Sequence, residues 1–217
     1  MTKLTILMPC LNEAATIESC IKKAQSFLEK SKIEGEVLVA DNGSSDSSID
    51  IAKKNNARVV HISEKGYGAT LLGGVKNSKG EYIIFADSDD SYDFSNLQPF
   101  ITELESGFDL VIGNRFKGLI KKGAMPISHK YFGNPALSLL GKIFFKSKVG
   151  DIHSGIRAFK KEKILNLNLN SSGMEFSVEM IARATLENLK ITEIPTTLSP
   201  DGRKTTSSHL KTWEDGW

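Results

Sequence analysis

The chain has 217 residues, 40% of them apolar and 25% charged, with a net charge of +2, the balance of a soluble globular α/β protein with a sizeable core. Cys10 and Cys20 are too few for a disulfide framework and form no CxxC pattern, which excludes a cysteine-built scaffold and suits a reducing, cytosolic setting. No apolar run reaches transmembrane length, and the first residues lack the charged and apolar regions of a signal peptide, so neither is expected.

Residues 4–8 read as a buried strand that Pro9 ends. Asn12 is placed to cap a helix whose apolar positions Ile17, Ile21, Ala24 and Leu28 recur at helical spacing. A second strand is expected at 36–40, then a helix starting at Asp46 or Ser47, a third strand at 59–62 and a short helix at 68–78. The fourth strand, Tyr82-Ile83-Ile84-Phe85-Ala86, runs straight into Asp87-Ser88-Asp89. A helix from about 96 to 105 and a strand at 110–112 follow. Strands alternating with helices through residue 113 predict parallel βαβ units. Beyond them, 126–145 is apolar and helix-compatible, with Leu137, Leu140 and Phe144 at spacings of three and four. Residues 155–159 return to the sheet, 174–187 form a helix and 191–198 a last strand. The tail 199–208 is polar and basic, holds Gly and Pro, and predicts a mobile loop. The second half reads as an extension of the same domain, not as a separate one.

The small net charge conceals an asymmetry. From 110 to 150 there is no acid, while Arg115, Lys117, Lys121, Lys122, Lys130, Lys142, Lys146 and Lys148 give +8, so the remainder carries −6 against a total of +2. Such a block suits phosphate groups or an anionic membrane surface. It lacks the interleaved aromatics of a nucleic-acid motif, and no nucleic-acid partner is expected.

Asp87 and Asp89 are the sharpest chemical signal. Side chains two apart on a strand point the same way, and ligands of open α/β sheets bind outside the carboxyl ends of the strands. Paired carboxylates repel unless a cation lies between them, and Mg²⁺ or Mn²⁺ suits such a pair together with substrate phosphates. An Asp/Ser-rich turn explains the triplet alone equally well. The first strand ends in Pro9-Cys10-Leu11-Asn12-Glu13 and not in GxGxxG, so a dinucleotide site is not expected. The second ends in Asp41-Asn42-Gly43-Ser44-Ser45-Asp46, where Asp41 can accept hydrogen bonds from a base or ribose and Gly43 permits a tight turn. Gly66-Tyr67-Gly68 reads as a turn that lets backbone approach a ligand. Three consecutive carboxyl-end loops, each with an acid, exceed what helix capping needs.

Taken together, Pro9-x-x-Asn12-Glu13, Asp41-x-Gly43-Ser44-x-Asp46, Asp87-x-Asp89 and Gly113-Asn114-Arg115 resemble the ordered motifs of family 2 glycosyltransferases of the GT-A fold. Asp151-Ile152-His153-Ser154-Gly155-Ile156-Arg157-Ala158-Phe159 resembles a segment of dolichyl-phosphate mannose synthases and their bacterial polyprenyl-phosphate relatives. The resemblance implies a mostly parallel, Rossmann-like sheet flanked by helices, with a nucleotide-sugar half at about 1–113 and an acceptor half at about 114–217. It implies that Pro9, Asn12, Glu13, Asp41, Gly43 and Gly68 serve the donor, that Asp87 and Asp89 hold the metal at its diphosphate, and that Arg203 and Lys204 close over the phosphates. Asp89, Arg115 and Asp151 would be the residues of the reaction. Arg115, Lys130, Asn134 and Ser154 would grip an acceptor phosphate. Dolichyl-phosphate mannose synthases carry a further metal ligand, Gln, where this chain has Ser91 beside an extra acid, Asp90; that leaves the third ligand and the sugar open. In many similar proteins a segment like the final Trp213-Glu214-Asp215-Gly216-Trp217 leads into C-terminal transmembrane helices, absent from this chain.

The implied reaction is an inverting transfer of a sugar from a GDP- or UDP-sugar to a polyprenyl phosphate at the cytoplasmic face of a membrane. A phosphate monoester is largely dianionic at neutral pH, its second pKa being about 6, and needs a cationic grip but no general base. A saccharide hydroxyl would need a base, for which Asp151 is the candidate; its other role is to hold Arg157 or a loop. A nucleotide-sugar-binding module without turnover is the third alternative. Residues 127–145 fit both an interfacial helix with basic flanks and core packing. The histidines show no metal-ligand spacing, and Glu175 and Glu179 fit a solvated helix face as well as a site. The oligomeric state stays open.

Overall fold

Along Leu4–Cys10 (β1), Leu4, Ile6 and Met8 face one core and Leu7 the other, and every residue of the strand is buried. Such two-sided burial belongs to a central strand with helices on both faces. The computed structural model describes residues 2–126 and 147–203. The helix Ile17–Ser31 (α1) presents Ile17, Cys20, Ile21, Ala24 and Phe27 to the first core, and Lys32 ends it in the left-handed conformation. Next come Gly35–Asp41 (β2), Ser48–Lys54 (α2), Arg58–His61 (β3), Tyr67–Asn77 (α3) and Tyr82–Phe85 (β4). The chain continues through Gln98–Glu105 (α4), Leu110–Ile120 (β5), Arg157–Lys160 (β6), Lys161–Leu165 (α5), Phe176–Leu186 (α6) and Ile191–Leu198 (β7).

The seven strands form one sheet in the order β3-β2-β1-β4-β6-β5-β7. β6 runs antiparallel to both of its neighbours, while the other pairings are parallel. Residues of α1, α2 and α4 fill the core on one face, and those of α3, α5 and α6 fill the other. Phe85 and Phe159 meet edge-on across the β4–β6 pair, with ring centres 5.9 Å apart. The parallel carboxyl ends of β1, β2 and β4 therefore open at one edge, and the reversal into β6 brings 151–156 back to that same edge.

Several expectations need adjustment. Asn12 does not cap α1: Thr16 holds that position, and Asn12 takes φ 58 and joins two loops instead. β4 ends at Phe85 and Asp90 takes φ 64, so Asp87 and Asp89 sit on a loop where strand alternation does not govern them. β5 runs eight residues past its expected end, bulging between Asn114 and Leu119 against β7. The tail is not loose at 199–203: Ser199 N donates to Ser91 O (2.9 Å) and Gly202 N to Asp89 O (2.8 Å). The segment 127–145, Lys130, Asn134 and Lys204 lie outside the described residues. Among the described residues no helix is long and apolar enough to cross a membrane.

Candidate functional site

The loops after β1 and β2 are stitched into one wall. Asn12 Oδ1 accepts from the backbone N of Ser45 (2.8 Å) and Asp46 (3.3 Å), and Ser44 Oγ accepts from Asn12 N (3.0 Å). Ser48 Oγ accepts from Glu13 N (2.8 Å), and Ser88 Oγ donates to Pro9 O (2.6 Å), which ties the β4 loop to the same wall. Gly43 has φ 94, a conformation that favours glycine, and a Cβ there would overlap the ammonium of Lys65, which donates to Asn42 O. Asp41 accepts from Ser44 N (2.9 Å), Gly43 N (3.1 Å) and His61 Nδ1 (3.0 Å). Burial alone would raise its carboxyl; the bonds from Ser44, His61 and Gly43 hold it below the usual range. His61, with no role in the expected site, is thus a member of this wall.

The acids at the β4 tip are held unequally. Asp87 Oδ1 accepts from Tyr67 Oη (2.8 Å). Burial, and then the charge of Asp89, push Asp87 up to about 7, against the opposing effects of Tyr67 and Arg115. Glu13 is also pushed up to about 7, by burial and by Asp89 and Asp201, although Arg203 opposes the shift. Burial and the nearby charge of Asp89 thus hold the Asp87 and Glu13 carboxyls above the usual carboxylate range. Asp90 does not join them: Lys23 Nζ (2.7 Å) and Ser19 Oγ (3.1 Å) pin it against α1. Ser91 acts through its backbone N, which donates to Asp89 Oδ1 (3.0 Å).

Arg203 closes this side. Its guanidinium reaches Glu13 Oε1 at 3.1 Å and Asp89 Oδ2 at 3.7 Å, and it pairs with Asp201 two residues before it. Asp87 and Asp89 are the side chains that could hold a divalent cation. Among the described residues no three His, Cys, Asp or Glu groups form a ready cage. A cation bound through one or two carboxylates and completed by phosphate oxygens needs none, so the residues fit such an ion.

On the opposite side, Asp151 is fully buried and both its oxygens serve Arg115. Oδ1 accepts from Arg115 Nη2 (2.7 Å), and Oδ2 from Arg115 Nε (2.8 Å) and from its backbone N (3.0 Å). Asp151 therefore holds Arg115 and not Arg157. Burial would lower the Arg115 guanidinium, but Tyr92, Asp151 and Asp87 leave it above its ordinary value. Arg157 is fully buried, donating to the carbonyls of Ile152 (2.7 Å), Ser177 (2.9 Å) and Ser154 (3.3 Å). Ser154 is fully buried in that turn. Gly155 N donates to Tyr92 Oη (2.9 Å), and its missing side chain makes room for Asp87.

Gly68 is explained by packing: a Cβ there would lie 2.7 Å from Phe176 Cβ and 2.9 Å from Gly173 O. Glu179 accepts from the backbone N of Asn170 and Ser171, and Glu175 from Gly173 N, so these two acids shape the loop against which α3 starts. Burial raises both cysteine thiols, Cys10 to about 11, as befits packing residues and not nucleophiles. Tyr67 and Tyr92 went unnoticed in the sequence, although each stands inside or just beyond a motif quoted for other residues.

The description Glycosyl transferase family 2 matches residues 5–167. The chain is 38% identical over 215 residues to the low-salt glycan biosynthesis hexosyltransferase Agl6 of Haloferax volcanii, covering 99% of this chain and 51% of that protein. It is 29% identical to a dolichyl-phosphate hexose transferase of the same organism, covering 88% of this chain and 81% of that one. The chain thus spans about half the length of Agl6. Glucosyl-3-phosphoglycerate synthase of Mycobacterium tuberculosis, solved with Mn²⁺, UDP and glucosyl-3-phosphoglycerate, superposes with a TM-score of 0.73 at 22% identity, covering 94% of this chain and 73% of that one. Another crystal structure of that enzyme holds Mg²⁺ and UDP. The mixed sheet, the three acid-bearing loops and the matched span agree: this chain belongs to glycosyl transferase family 2 and has the GT-A fold.

Proposed function

We propose that the chain is the catalytic part of an inverting, metal-dependent hexosyltransferase that moves a sugar from a nucleotide sugar to a polyprenyl phosphate. The carrying observation is Arg115, clamped by the buried Asp151 and close enough to Asp87 for each to shift the other's titration. A fixed cation beside the donor acids suits an acceptor that brings its own negative charge. Asp151 has both oxygens committed to Arg115, which weighs against the alternative in which it deprotonates a saccharide hydroxyl. The resemblance to a dolichyl-phosphate hexose transferase supports the same acceptor class.

In this reading residues 1–113 form the donor half and the rest the acceptor half. Asp41 and the wall of Asn12 and Gly43 receive the nucleoside of a GDP- or UDP-sugar. Asp87 and Asp89 would hold Mg²⁺ or Mn²⁺, which when bound offsets the charge growing on the departing nucleoside diphosphate. Arg203 adds a cation on the same side. Arg115 orients the acceptor phosphate, one of whose oxygens forms a bond to the anomeric carbon as the bond from that carbon to the diphosphate oxygen breaks. Attack from the face opposite the leaving group inverts the centre. Lys130, Asn134 and Lys204 remain assigned to the phosphates by resemblance alone, and the basic block from 110 to 150 is assigned to an anionic membrane surface.

The test is a matrix of GDP- and UDP-sugars against a polyprenyl phosphate, with Mg²⁺, Mn²⁺ or EDTA. Product of inverted configuration, lost with EDTA, is expected. Nucleoside diphosphate release that depends on a saccharide and never on a polyprenyl phosphate would overturn the acceptor assignment.

A further inference from the structure

One carboxylate outside every motif reaches the acceptor side of the crevice. Glu193 lies on β7 opposite Ile112, its side chain 7% exposed. Its Oε1 accepts three hydrogen bonds: from Gly150 N (2.7 Å), Asn114 Nδ2 (2.9 Å) and Asp151 N (3.0 Å). Its Oε2 pairs with Lys117 Nζ (3.0 Å), while Lys117 N donates to Asn114 Oδ1 (2.8 Å). Gly150 permits this close approach, since a Cβ there would stand 3.0 Å from Asn114 Nδ2 and 3.3 Å from Glu193 Oε2.

These contacts join two segments that are distant in sequence. One is the β5 bulge, where Asn114 and Lys117 bracket Arg115. The other is the turn that delivers Asp151. Each segment contributes one partner of the Arg115–Asp151 pair, and Glu193 is anchored in a third strand. A carboxylate is the side chain that can accept from three N–H groups at one oxygen and still pair with an ammonium at the other. Without it, the backbone N–H groups of Gly150 and Asp151 lose their acceptor in a buried place, and the turn must shift to find water.

We propose that Glu193 is a positioning residue of the transfer reaction, which sets the distance and angle between Arg115 and Asp151 and thereby the place of the acceptor phosphate. The inference rests on the reading of Arg115 as the acceptor grip. Displacement of a reacting group by about 1 Å can cost roughly a hundred-fold in rate, so the effect falls on acceptor turnover and not on donor binding.

The experiment uses the full chain, ¹⁵N-labelled, with the Arg115 Nε–H resonance identified by its loss in Arg115→Lys. In the wild type this proton is expected to exchange slowly with solvent, because it is bonded to buried Asp151. In Glu193→Ala it is expected to lose that protection, and in Glu193→Gln, which keeps an oxygen for the three donors, to regain most of it. Should Glu193→Ala fail to fold, Glu193→Asp, which retracts the carboxylate by one methylene, carries the same measurement. In parallel, kcat/KM for a polyprenyl phosphate should fall about ten- to a hundred-fold in the alanine variant with nucleoside diphosphate affinity unchanged. Unaltered protection of Arg115 Nε–H in a folded Ala or Asp variant overturns the proposal. Equal loss of donor affinity also overturns it, because it marks general damage. The acceptor reading fails separately if Arg115→Met leaves acceptor kcat/KM intact, and the resonance result stands either way.

Discussion

Gly155 faces Asp87 so closely that a Cβ at position 155 would overlap Asp87 Oδ2 and come within 3.1 Å of Tyr92 Cε2. The antiparallel register explains it: Phe85 pairs with Arg157, so Asp87, two residues after Phe85, meets Gly155, two residues before Arg157. The β4 acid and the turn that carries Asp151 are therefore one packing unit.

Gly155→Ala should push the Asp87 carboxylate away from the place it now takes between Tyr67 and Gly155. Overpacking a tight site costs about 1–3 kcal/mol. The larger consequence should be for the cation: half-saturation by Mn²⁺ in turnover is expected to rise at least about ten-fold, the equivalent of roughly 1.4 kcal/mol. A Mn²⁺ titration of turnover matching the wild type, in a folded variant, would sink this account of Gly155.

Arg157 makes a second prediction. It is fully buried and burial lowers its guanidinium to about 10, yet its hydrogen bonds go to three carbonyls and to Met180 Sδ (3.5 Å). Those carbonyls lie in the 152–154 turn and at the start of α6, so the fork of the guanidinium ties the two together. Lysine offers a point charge where the fork serves three directions. Arg157→Lys should lower stability by about 2–4 kcal/mol, since carbonyls lose partners in a dry place. For a chain of this length that is a fall in Tm of roughly 4–16 °C. A melting curve unchanged to within about 2 °C, the equivalent of about 0.5–1 kcal/mol, would show that the fork is dispensable.

The apolar strands were legible because two-sided burial leaves a nearly unbroken apolar run, as in β1 and β4. The acid-bearing loops were legible too, since each follows such a run. Contacts set by chain reversal were not. Nothing local announces that Asp151 will meet Arg115, or that Tyr92 will bond Gly155, because β6 enters between β4 and β5 only once the sheet is assembled. Glu193 left one trace, a lone acid between Ile191 and Ile194 in a strand. The five-residue helix α5 escaped for a simpler reason: a single turn gives no periodicity to read.

His153 gives a pH prediction. Its Nδ1 is buried without a hydrogen-bond partner among the described residues, and burial, with the charges of Arg157 and Arg115, pushes it down to about 4. The unfolded chain binds a proton at this histidine below about 6.5. Between pH 4 and 6.5 the unfolded state thus holds one more proton than the folded state at this position, and the sign is fixed: stability rises with pH across that window and falls as pH drops through it. His153→Asn, which cannot titrate there, should flatten this part of the stability–pH curve. Urea midpoints at pH 5 and pH 7 check it, and an identical difference in wild type and variant would rule His153 out as the cause.

Arg203 supports the last prediction. The segment that carries it is docked by two backbone hydrogen bonds to the 89–91 loop, and its guanidinium lies among Glu13, Asp89 and Asp201. In this arrangement it offsets acids that would otherwise repel a diphosphate as strongly as they repel one another. Arg203→Ala removes that cation, and Glu13 should then rise beyond its present value near 7, since Arg203 opposes its shift more than the Thr16 hydrogen bond does. Loss of a hydrogen-bonded ionic contact costs about 1.5–3 kcal/mol, so nucleoside diphosphate affinity with Mn²⁺ should weaken roughly ten- to a hundred-fold. Thermal shift against nucleoside diphosphate concentration reads this directly, because stabilisation follows the logarithm of ligand over Kd. Arg203→Lys should recover part of the loss, as a charge without the fork. If the alanine variant binds nucleoside diphosphate as the wild type does, Arg203 serves only to fasten the tail to the 89–91 loop.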